Sequence, residues 1–275
     1  MPKLVTNLLK TLSVAVVLIW SLVPILMIVV SSFKADRDIF AAPPRLFFEP
    51  TFNNYLTLWT NWGDFFHGLI NSAIITIGAT VLAVVTSALA GYAYSRFRNP
   101  LLSFSAFFLI FIRLIPPIVI TLPLFPAVNM LRLNDTHILL MVLYATFFVS
   151  LGTLVMRTFM DQIPRELDEA AHIDGATRMQ ILRRIIFPLS AQGMVAVAVF
   201  VIVFAWNEFL FAFIFTTTNA KTAPLVISEM YGAVEGVEWG VLFAASTVQL
   251  LPVLIFVILA QKHLVAGLTA GATKG

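Results

Sequence analysis

The sequence contains no cysteine among its 275 residues, and few of those residues carry a charge. Without cysteine the chain has no disulfide framework, no thiolate metal site and no thiol nucleophile. Charged residues make up 11% of the sequence and hydrophobic residues 60%. A soluble domain has about 25% charged residues, so this composition predicts a membrane protein. The formal net charge of +3 is too small to suggest a nucleic-acid partner.

Motifs for nucleotide binding and for catalysis are also missing. The phosphate-binding loop G-x-x-x-x-G-K-[ST] is absent, because neither Lys10-Thr11 nor Lys221-Thr222 follows the required glycine. The sequence has no H-E-x-x-H and no G-x-S-x-G. Its four histidines lie in separate segments, at His67, His137, His172 and His263. We therefore predict no catalytic residue, no metal site and no cofactor on this chain.

Long apolar segments account for most of the sequence. About 20 apolar residues are needed to cross the hydrocarbon core of a membrane as a helix. Six segments reach that length, at residues 11–32, 69–95, 101–124, 138–158, 191–215 and 241–261. The sequence therefore predicts one all-α transmembrane domain, residues 1–275, with six transmembrane helices. Small residues in the second segment, among them Gly78 and Gly91, predict close helix packing.

The distribution of cations predicts the orientation of these helices. An even number of spans places both termini on the same side of the membrane. If that side is the cytoplasm, the inside segments hold eleven Lys and Arg and the outside segments hold five. This bias favours an N-in, C-in topology. Residues 161–190 and the tail 262–275 are then inside, while residues 33–68, expected to be irregular, and 216–240 are outside loops.

Residues 161–190 include the most charged stretch of the chain, and their pattern predicts two short helices joined at a corner. Pro164 suits a first helical turn, and three carboxylates follow it where the helix dipole favours negative charge. Gly175 can adopt the left-handed conformation that commonly ends a helix. Thr177 and Gln180 have the spacing of a capping box for a second helix. That second helix is amphipathic, which is typical of a helix that lies on a membrane or docks in a protein groove.

The same stretch resembles a family motif. Glu169-Ala170-Ala171, three residues, Gly175, nine residues, Ile185 and then Phe187-Pro188 resemble the EAA signature of bacterial ABC importer permeases. The family form has Leu before the proline, so Phe187 is a change of size at an apolar position. Shorter strings, such as Arg113-Leu114-Ile115-Pro116-Pro117, are similar to sugar permeases, and the whole chain most resembles the shorter, six-span permease of maltose-type importers.

The resemblance implies a function and a set of partners. The chain would be a non-catalytic permease subunit of an ATP-driven importer for a sugar or sugar-like solute, embedded in the lipid of the bacterial cytoplasmic (inner) membrane. A second permease would pair with it as a heterodimer, a homodimeric ATPase would bind ATP and Mg, and an extracytoplasmic solute-binding protein would deliver the solute. The glycine-rich tail predicts disorder by itself, whereas the resemblance implies that it reaches the ATPase.

The resemblance also implies two sets of contact residues. In the first set are the candidates for contact with the ATPase through a cytoplasmic EAA coupling helix: Glu166, Asp168, Glu169, Ala170, Ala171, Asp174, Gly175 and Arg178. In related importers the loop before the last span reaches into the binding protein, and here it would run from Lys221 to Glu235. Its candidate contacts are Lys221, Thr222, Pro224 and Glu229.

Polar residues inside the apolar segments are candidates for the translocation pathway, because burying them in a membrane is costly. They are Asn71, Arg113, Trp206, Asn207 and Glu208. For Glu208 three roles stay open: pathway or gating, pairing with a neighbouring subunit, or an interfacial position. Arg113 and Glu208 would also be the ionisable groups of an ion-coupled secondary carrier or an intramembrane enzyme. The helical corner favours the importer, because a subunit without its own energy source needs a docking element for a motor.

Overall fold

The computed structural model describes residues 3–45, 47–233 and 236–270, and within those ranges every regular element is a helix. The helices in chain order are α1 Lys3–Ser31, α2 Asp36–Ile39, α3 Asn53–Asn61, α4 Gly63–Arg96, α5 Pro100–Phe111, α6 Pro117–Met130, α7 His137–Met160, α8 Glu166–Ile173, α9 Arg178–Leu189, α10 Ala191–Trp206, α11 Leu210–Phe215, α12 Ala223–Tyr231 and α13 Trp239–Ala270. A 3-10 turn, Ile112–Leu114, follows α5, and Leu182–Ile186 form a π turn inside α9.

Four helices are long and apolar enough to cross a membrane: α1 from Thr6, α4, α7 and α13 up to Gln261. Two further candidates are bent pairs. The helical segments Pro100–Leu114 and Pro117–Met130 meet at 99°, and α9 meets α10 at 72°. The first bend follows from Pro116-Pro117, since proline lacks an N–H and restricts the residue before it. The described chain thus has four candidate spans, or six if each bent pair counts as one.

The chain divides into two compact units. The first consists of the described parts of residues 1–67 and 226–252. In it the predicted outer loop 33–68 contains α2 and α3, where irregular structure was expected. Asn54 of α3 ties this segment to the end of α1, because its amide nitrogen donates to the carbonyl oxygens of Ser32 and Lys34, each at 2.8 Å. Gly240 belongs here because an added Cβ would lie 2.5 Å from the Asn54 amide.

The second unit consists of the described parts of residues 68–225 and 253–275, and its core is built around α4 and α7. Two glycines of α4 bring these helices together. An added Cβ at Gly78 would lie 2.5 Å from Met141 Sδ, and one at Gly91 would lie 2.6 Å from Met156 Cβ. The seam of small residues predicted in the second apolar segment therefore packs α4 closely against α7.

Candidate functional site

The polar stretch forms a helical corner, which we define as residues 161–181. Helix α8 ends at Ile173, and Gly175 has a φ of +83°, the left-handed conformation that favours glycine. Both bonds of the predicted capping box are present: Thr177 N–H donates to Gln180 Oε1 at 2.7 Å, and Gln180 N–H donates to Thr177 Oγ1 at 3.3 Å. The local structure predicted from the spacing is therefore confirmed.

Most of the corner is open to a partner. None of the residues of α8 is buried. Glu166 and Glu169 are exposed, and Ile173 at the end of the helix is 86% exposed. Ala171 differs from its neighbours because it packs against the core of the unit. The other predicted contact residues that are exposed are Ala170, Asp174, Gly175 and Arg178.

The corner is tied to the end of α4 by an arginine that the motif analysis did not single out. Arg96 Nε donates to Asp168 Oδ2 at 2.6 Å, and the two side chains are only 7% and 18% exposed. The other guanidinium nitrogens of Arg96 donate to the carbonyl oxygens of Met160 and Ile163, each at 3.1 Å. Asp168, which was expected to contact an ATPase, thus makes its ion pair within this chain.

Two further contacts fasten the corner to the same end of α4. Arg165 donates to the carbonyl oxygen of Ser95 at 2.6 Å. The guanidinium of Arg178 lies 5.3 Å from the ring centre of Phe97, within the range of a cation–π contact. No local pattern could have found these contacts from the sequence, since Arg96 and Asp168 are 72 positions apart.

The predicted pathway residues do not form one cluster of contacts. Glu208 accepts hydrogen bonds from the N–H groups of Phe211 at 2.9 Å and Ala212 at 3.4 Å, so it caps the first turn of α11. Trp206 is 7% exposed at the end of α10, and Asn207 donates to the carbonyl oxygen of Val203 at 2.7 Å. Glu208 therefore has a structural role in capping the start of α11. The sequence did not predict this helix start, because the segment 191–215 is continuously apolar.

Arg113 and Asn71 make their contacts elsewhere. The guanidinium of Arg113 lies 5.6 Å from the ring centre of Phe147 on α7. Asn71 lies about two turns into α4, where its amide nitrogen donates to the carbonyl oxygens of Asn219 and Lys221, each at 2.9 Å. Its amide oxygen lies 2.7 Å from Nε2 of His137. Asn71 thus holds a loop in place, in addition to any part it has in a pathway.

That loop, residues 216–222, is also gathered around one carboxylate. Asp135, in the connection between α6 and α7, accepts the backbone N–H groups of four successive residues, Thr217 to Ala220, at 2.9–3.2 Å. Burial raises the pKa of Asp135, but these hydrogen bonds outweigh it and lower the pKa to about 2. Asp135 has a φ of +56°, a conformation that aspartate and asparagine adopt more readily than most residues. The sequence analysis missed this residue.

The candidates for contact with a binding protein lie at the end of this loop and in α12. Thr222 is 2% exposed, so its side chain does not reach a partner in this conformation. Lys221 and Pro224 are half-buried, and Glu229 is exposed. Glu235, the predicted end of the segment, lies outside the described residues. Within the described ranges, no group of three or more His, Asp or Glu side chains could hold a metal ion.

Comparison with known proteins identifies a matching family and a similar solved structure. A family described as "Binding-protein-dependent transport system inner membrane component" matches residues 83–269. The fold is similar to that in the "Crystal structure of a bacterial ABC transporter involved in the import of the acidic polysaccharide alginate", with a TM-score of 0.78, 20% identity, and coverage of 94% of this chain and 96% of that chain.

Curated relatives agree with the match. The chain is 36% identical over 258 residues to the "Trehalose/maltose transport system permease protein MalG" of Thermococcus litoralis, covering 92% of each chain. It is 39% identical over 228 residues to the "Trehalose transport system permease protein SugB" of Mycobacterium tuberculosis, covering 82% of each. It is 32% identical over 265 residues to the "Diacetylchitobiose uptake system permease protein DasC" of Streptomyces coelicolor, covering 95% of each. The chain therefore belongs to the family of binding-protein-dependent transport system inner membrane components.

Proposed function

We propose that this chain is the permease subunit of an ATP-driven importer for a sugar or sugar-like solute, and that its helical corner docks on a separate ATPase. The observation that carries the proposal is the exposed helix α8, which presents carboxylates and an apolar Ile173 next to the Gly175 turn. A protein groove is one of the two surfaces that such an amphipathic element fits. The sequence has no phosphate-binding loop of its own, so the energy must come from a partner.

The solute class rests on the relatives. Those described above are named for trehalose and maltose, trehalose, and diacetylchitobiose, all of which are carbohydrates. A sugar or a sugar-like solute is therefore the substrate class that this chain supports best. An ion-coupled carrier is less well supported, because such a protein has no use for an exposed docking helix.

For the arrangement in the membrane we propose six spans with both termini in the cytoplasm. Counting each bent pair as one span gives six, and the eleven-to-five distribution of cations favours N-in, C-in. The helical corner is then cytoplasmic and carries the EAA coupling helix, while the loop 216–222 and α12 are outside. The bacterial cytoplasmic membrane is the location that follows from the family.

The proposed assembly has three partners. A second permease completes the translocation pathway, and a homodimeric ATPase carries ATP and Mg on the cytoplasmic side. An extracytoplasmic solute-binding protein docks on the outer side, near Lys221, Pro224 and Glu229. None of the most apolar stretch of α1 is buried by this chain. Such an exposed apolar helix fits a subunit whose surface is covered by lipid and by a neighbouring subunit.

The experiment compares two glycine substitutions. Gly175→Leu places a side chain where φ is +83°, at a cost of roughly 1–2 kcal/mol, although no atom lies within 4 Å of the added Cβ. Gly63→Leu is the matched control, since its Cβ also meets nothing within 4 Å and its φ is not left-handed. We expect Gly175→Leu to lower co-purification of the ATPase and solute uptake, and Gly63→Leu to change neither. Full uptake by an assembled Gly175→Leu transporter would refute the docking role of the corner.

A further inference from the structure

The ends of three membrane helices surround a polar cavity. Helix α4 ends at Arg96, the bent pair that begins with α5 starts at Pro100, and α7 ends at Met160. Between these ends and the start of the helical corner lies a cavity of about 720 Å³. That volume is within the range of about 300–1,000 Å³ found for small-molecule sites. Because candidate spans end around it, the cavity lies at the depth of the lipid headgroups.

The lining of this cavity carries more positive than negative charge. Its charged members are four arginines, Arg96, Arg98, Arg157 and Arg165, and two carboxylates, Asp161 and Glu166. The charge of Arg96 is balanced by its ion pair with Asp168, which does not line the cavity. Three arginines therefore share the lining with two carboxylates, and the surplus of one positive charge is available to an anion.

Two of these arginines are available as ligands. Within the part of the chain that the structure describes, Arg98 makes no ion pair, hydrogen bond or cation–π contact. Arg157 is paired with Asp161 at 3.5 Å, but both side chains are nearly half exposed, so solvent weakens that pair. Arg165, by contrast, donates to the carbonyl oxygen of Ser95 at 2.6 Å. An arginine binds phosphate oxygens through two parallel hydrogen bonds, which Arg98 and Arg157 can still make.

The first turn of α5 faces the same cavity. Leu102 and Ser103 belong to this turn and line the cavity. The N-terminus of a helix carries a partial positive charge and binds anions. The exposed hydroxyl of Ser103 adds a further hydrogen-bond donor. The helix end and the two arginines therefore favour the same kind of ligand, an anion with several acceptor oxygens.

The apolar surface of α5 indicates that this anion belongs to a lipid. Within the described chain no residue of α5 is buried. Leu101 and Phe104, the sequence neighbours of the two lining residues, are 75% and 68% exposed. A free phosphate would leave this surface uncovered, whereas a phospholipid covers it with acyl chains while its headgroup enters the cavity. Basic pockets between membrane helices on the cytoplasmic side bind anionic headgroups in this way.

We propose that this cavity binds the phosphate of an anionic phospholipid of the cytoplasmic leaflet, with Arg98 and Arg157 as its ligands and with the acyl chains along α5. A phosphodiester lipid such as phosphatidylglycerol carries the single negative charge that the lining lacks. The choice of leaflet rests on the proposed topology, but binding needs neither solute nor ATP. The bound lipid joins the ends of α4, α5 and α7 to the first residues of the helical corner.

The test measures lipid preference beside the cavity in the complete transporter, purified through a tag on this chain and reconstituted in phosphatidylcholine vesicles. This chain has no cysteine, so a fluorophore at Leu101→Cys reports on this place once the cysteines of the other subunits are replaced. Phosphatidylglycerol or phosphatidylcholine with a nitroxide on an acyl chain then quenches the fluorophore, and the two quenching curves give the relative affinity. We expect a preference for phosphatidylglycerol of at least about tenfold, because each arginine near an anionic headgroup contributes about fivefold.

The variants separate the site from general surface charge. Arg98→Gln and Arg157→Gln should each lower the preference about fivefold, and Arg98→Lys should keep most of it. Arg183→Gln is the matched control, because it removes an equal charge at an exposed position that does not line the cavity. We expect it to leave the preference unchanged. A further arm adds inorganic phosphate, compared with chloride at equal ionic strength, and should also change nothing.

Several results would overturn the proposal. Equal quenching by the two lipids in the unmodified chain would show that no anionic site exists. Equal loss of preference in all three Gln variants would assign the effect to surface charge. No quenching by either lipid would mean that a neighbouring subunit covers α5, and loss of the preference in phosphate would make a free anion the ligand. Failure of the ATPase to co-purify would instead refute the proposed function, since lipid binding does not depend on it.

Discussion

The connection between Asp135 and the loop 217–220 offers the sharpest quantitative prediction. We consider Asp135→Asn, which removes the charge but keeps a residue type that tolerates the left-handed φ of +56°. The substitution also replaces one acceptor oxygen by an NH₂ group that faces backbone donors. Because four backbone N–H groups converge on this carboxylate, the amide cannot satisfy them all.

The magnitude follows from the pKa. Asp135 titrates at about 2 in the folded protein against a reference value of 3.8. This difference corresponds to about 2.4 kcal/mol, at 1.36 kcal/mol per pKa unit. Asp135 is only partly buried, so solvent screening reduces the expected value to about 1–2 kcal/mol. Since the pKa is lower in the folded state, this stability is fully present above about pH 4 and is lost as the pH falls towards 2.

Hydrogen exchange of the backbone amides of residues 217–220 measures this local stability directly. At pH 7 we expect exchange in Asp135→Asn to be about 5- to 30-fold faster than in the unmodified protein, which corresponds to 1–2 kcal/mol. Asp135→Ala should exchange faster still, because alanine also carries the strain of the left-handed φ. Asp161→Asn, which removes an exposed ion pair with Arg157 at 3.5 Å, is the control. Unchanged exchange in Asp135→Asn would refute the reasoning.

Two further predictions concern the membrane arrangement and the packing of α4. In the cysteine-free chain, single cysteines at Arg183 and Lys221 should react with an impermeant thiol reagent from the inside and the outside of the membrane respectively; labelling of position 183 from outside intact cells would overturn the topology. Gly91→Ala should lower the thermal unfolding temperature more than Gly78→Ala, because its methyl group would meet a Cβ at 2.6 Å and not the flexible end of a methionine. An equal effect of the two substitutions would contradict this account of the seam.

The sequence predicted best those features that depend on residues close together in the chain. The Gly175 turn and the capping box of Thr177 and Gln180 are set by a few neighbouring positions, so their spacing was sufficient. The seam between α4 and α7 was predicted as a tendency, because small residues permit close approach. Its partner helix could not be identified, since nothing in the second apolar segment specifies Met141 or Met156.

Three features escaped prediction for identifiable reasons. The apolar segment 191–215 is continuous in hydrophobicity, yet the helix stops at Trp206 and restarts at Leu210, where Glu208 caps the new helix. By itself the glycine-rich tail predicted disorder, whereas the resemblance implied a tail that reaches an ATPase; in the structure α13 continues to Ala270, since one interior glycine costs only about 1 kcal/mol. Its last residues, 271–275, lie outside the described part.

The third feature is the set of contacts that hold the loops to the helices. Arg96 and Asp168 are 72 positions apart, and Asp135 lies 82 to 85 positions from the amides it binds. Periodicity and short motifs carry no information at such separations. These contacts become visible only when the topology brings α4, α7 and the corner together, which is why the Arg96–Asp168 ion pair and the role of Asp135 were overlooked.

The glycine seam of α4 also has a consequence for biosynthesis. The helix that fills it, α7, ends 64 residues after α4 ends, and ribosomes add about 5–20 residues per second. For about 3–13 s, then, the nascent α4 sits in the membrane with its glycines facing lipid or the insertion machinery in place of Met141 and Met156. Because α4 is synthesised before α7, its glycine seam has no partner helix during this interval. A nascent subunit can then pair its α4 with an incorrect helix.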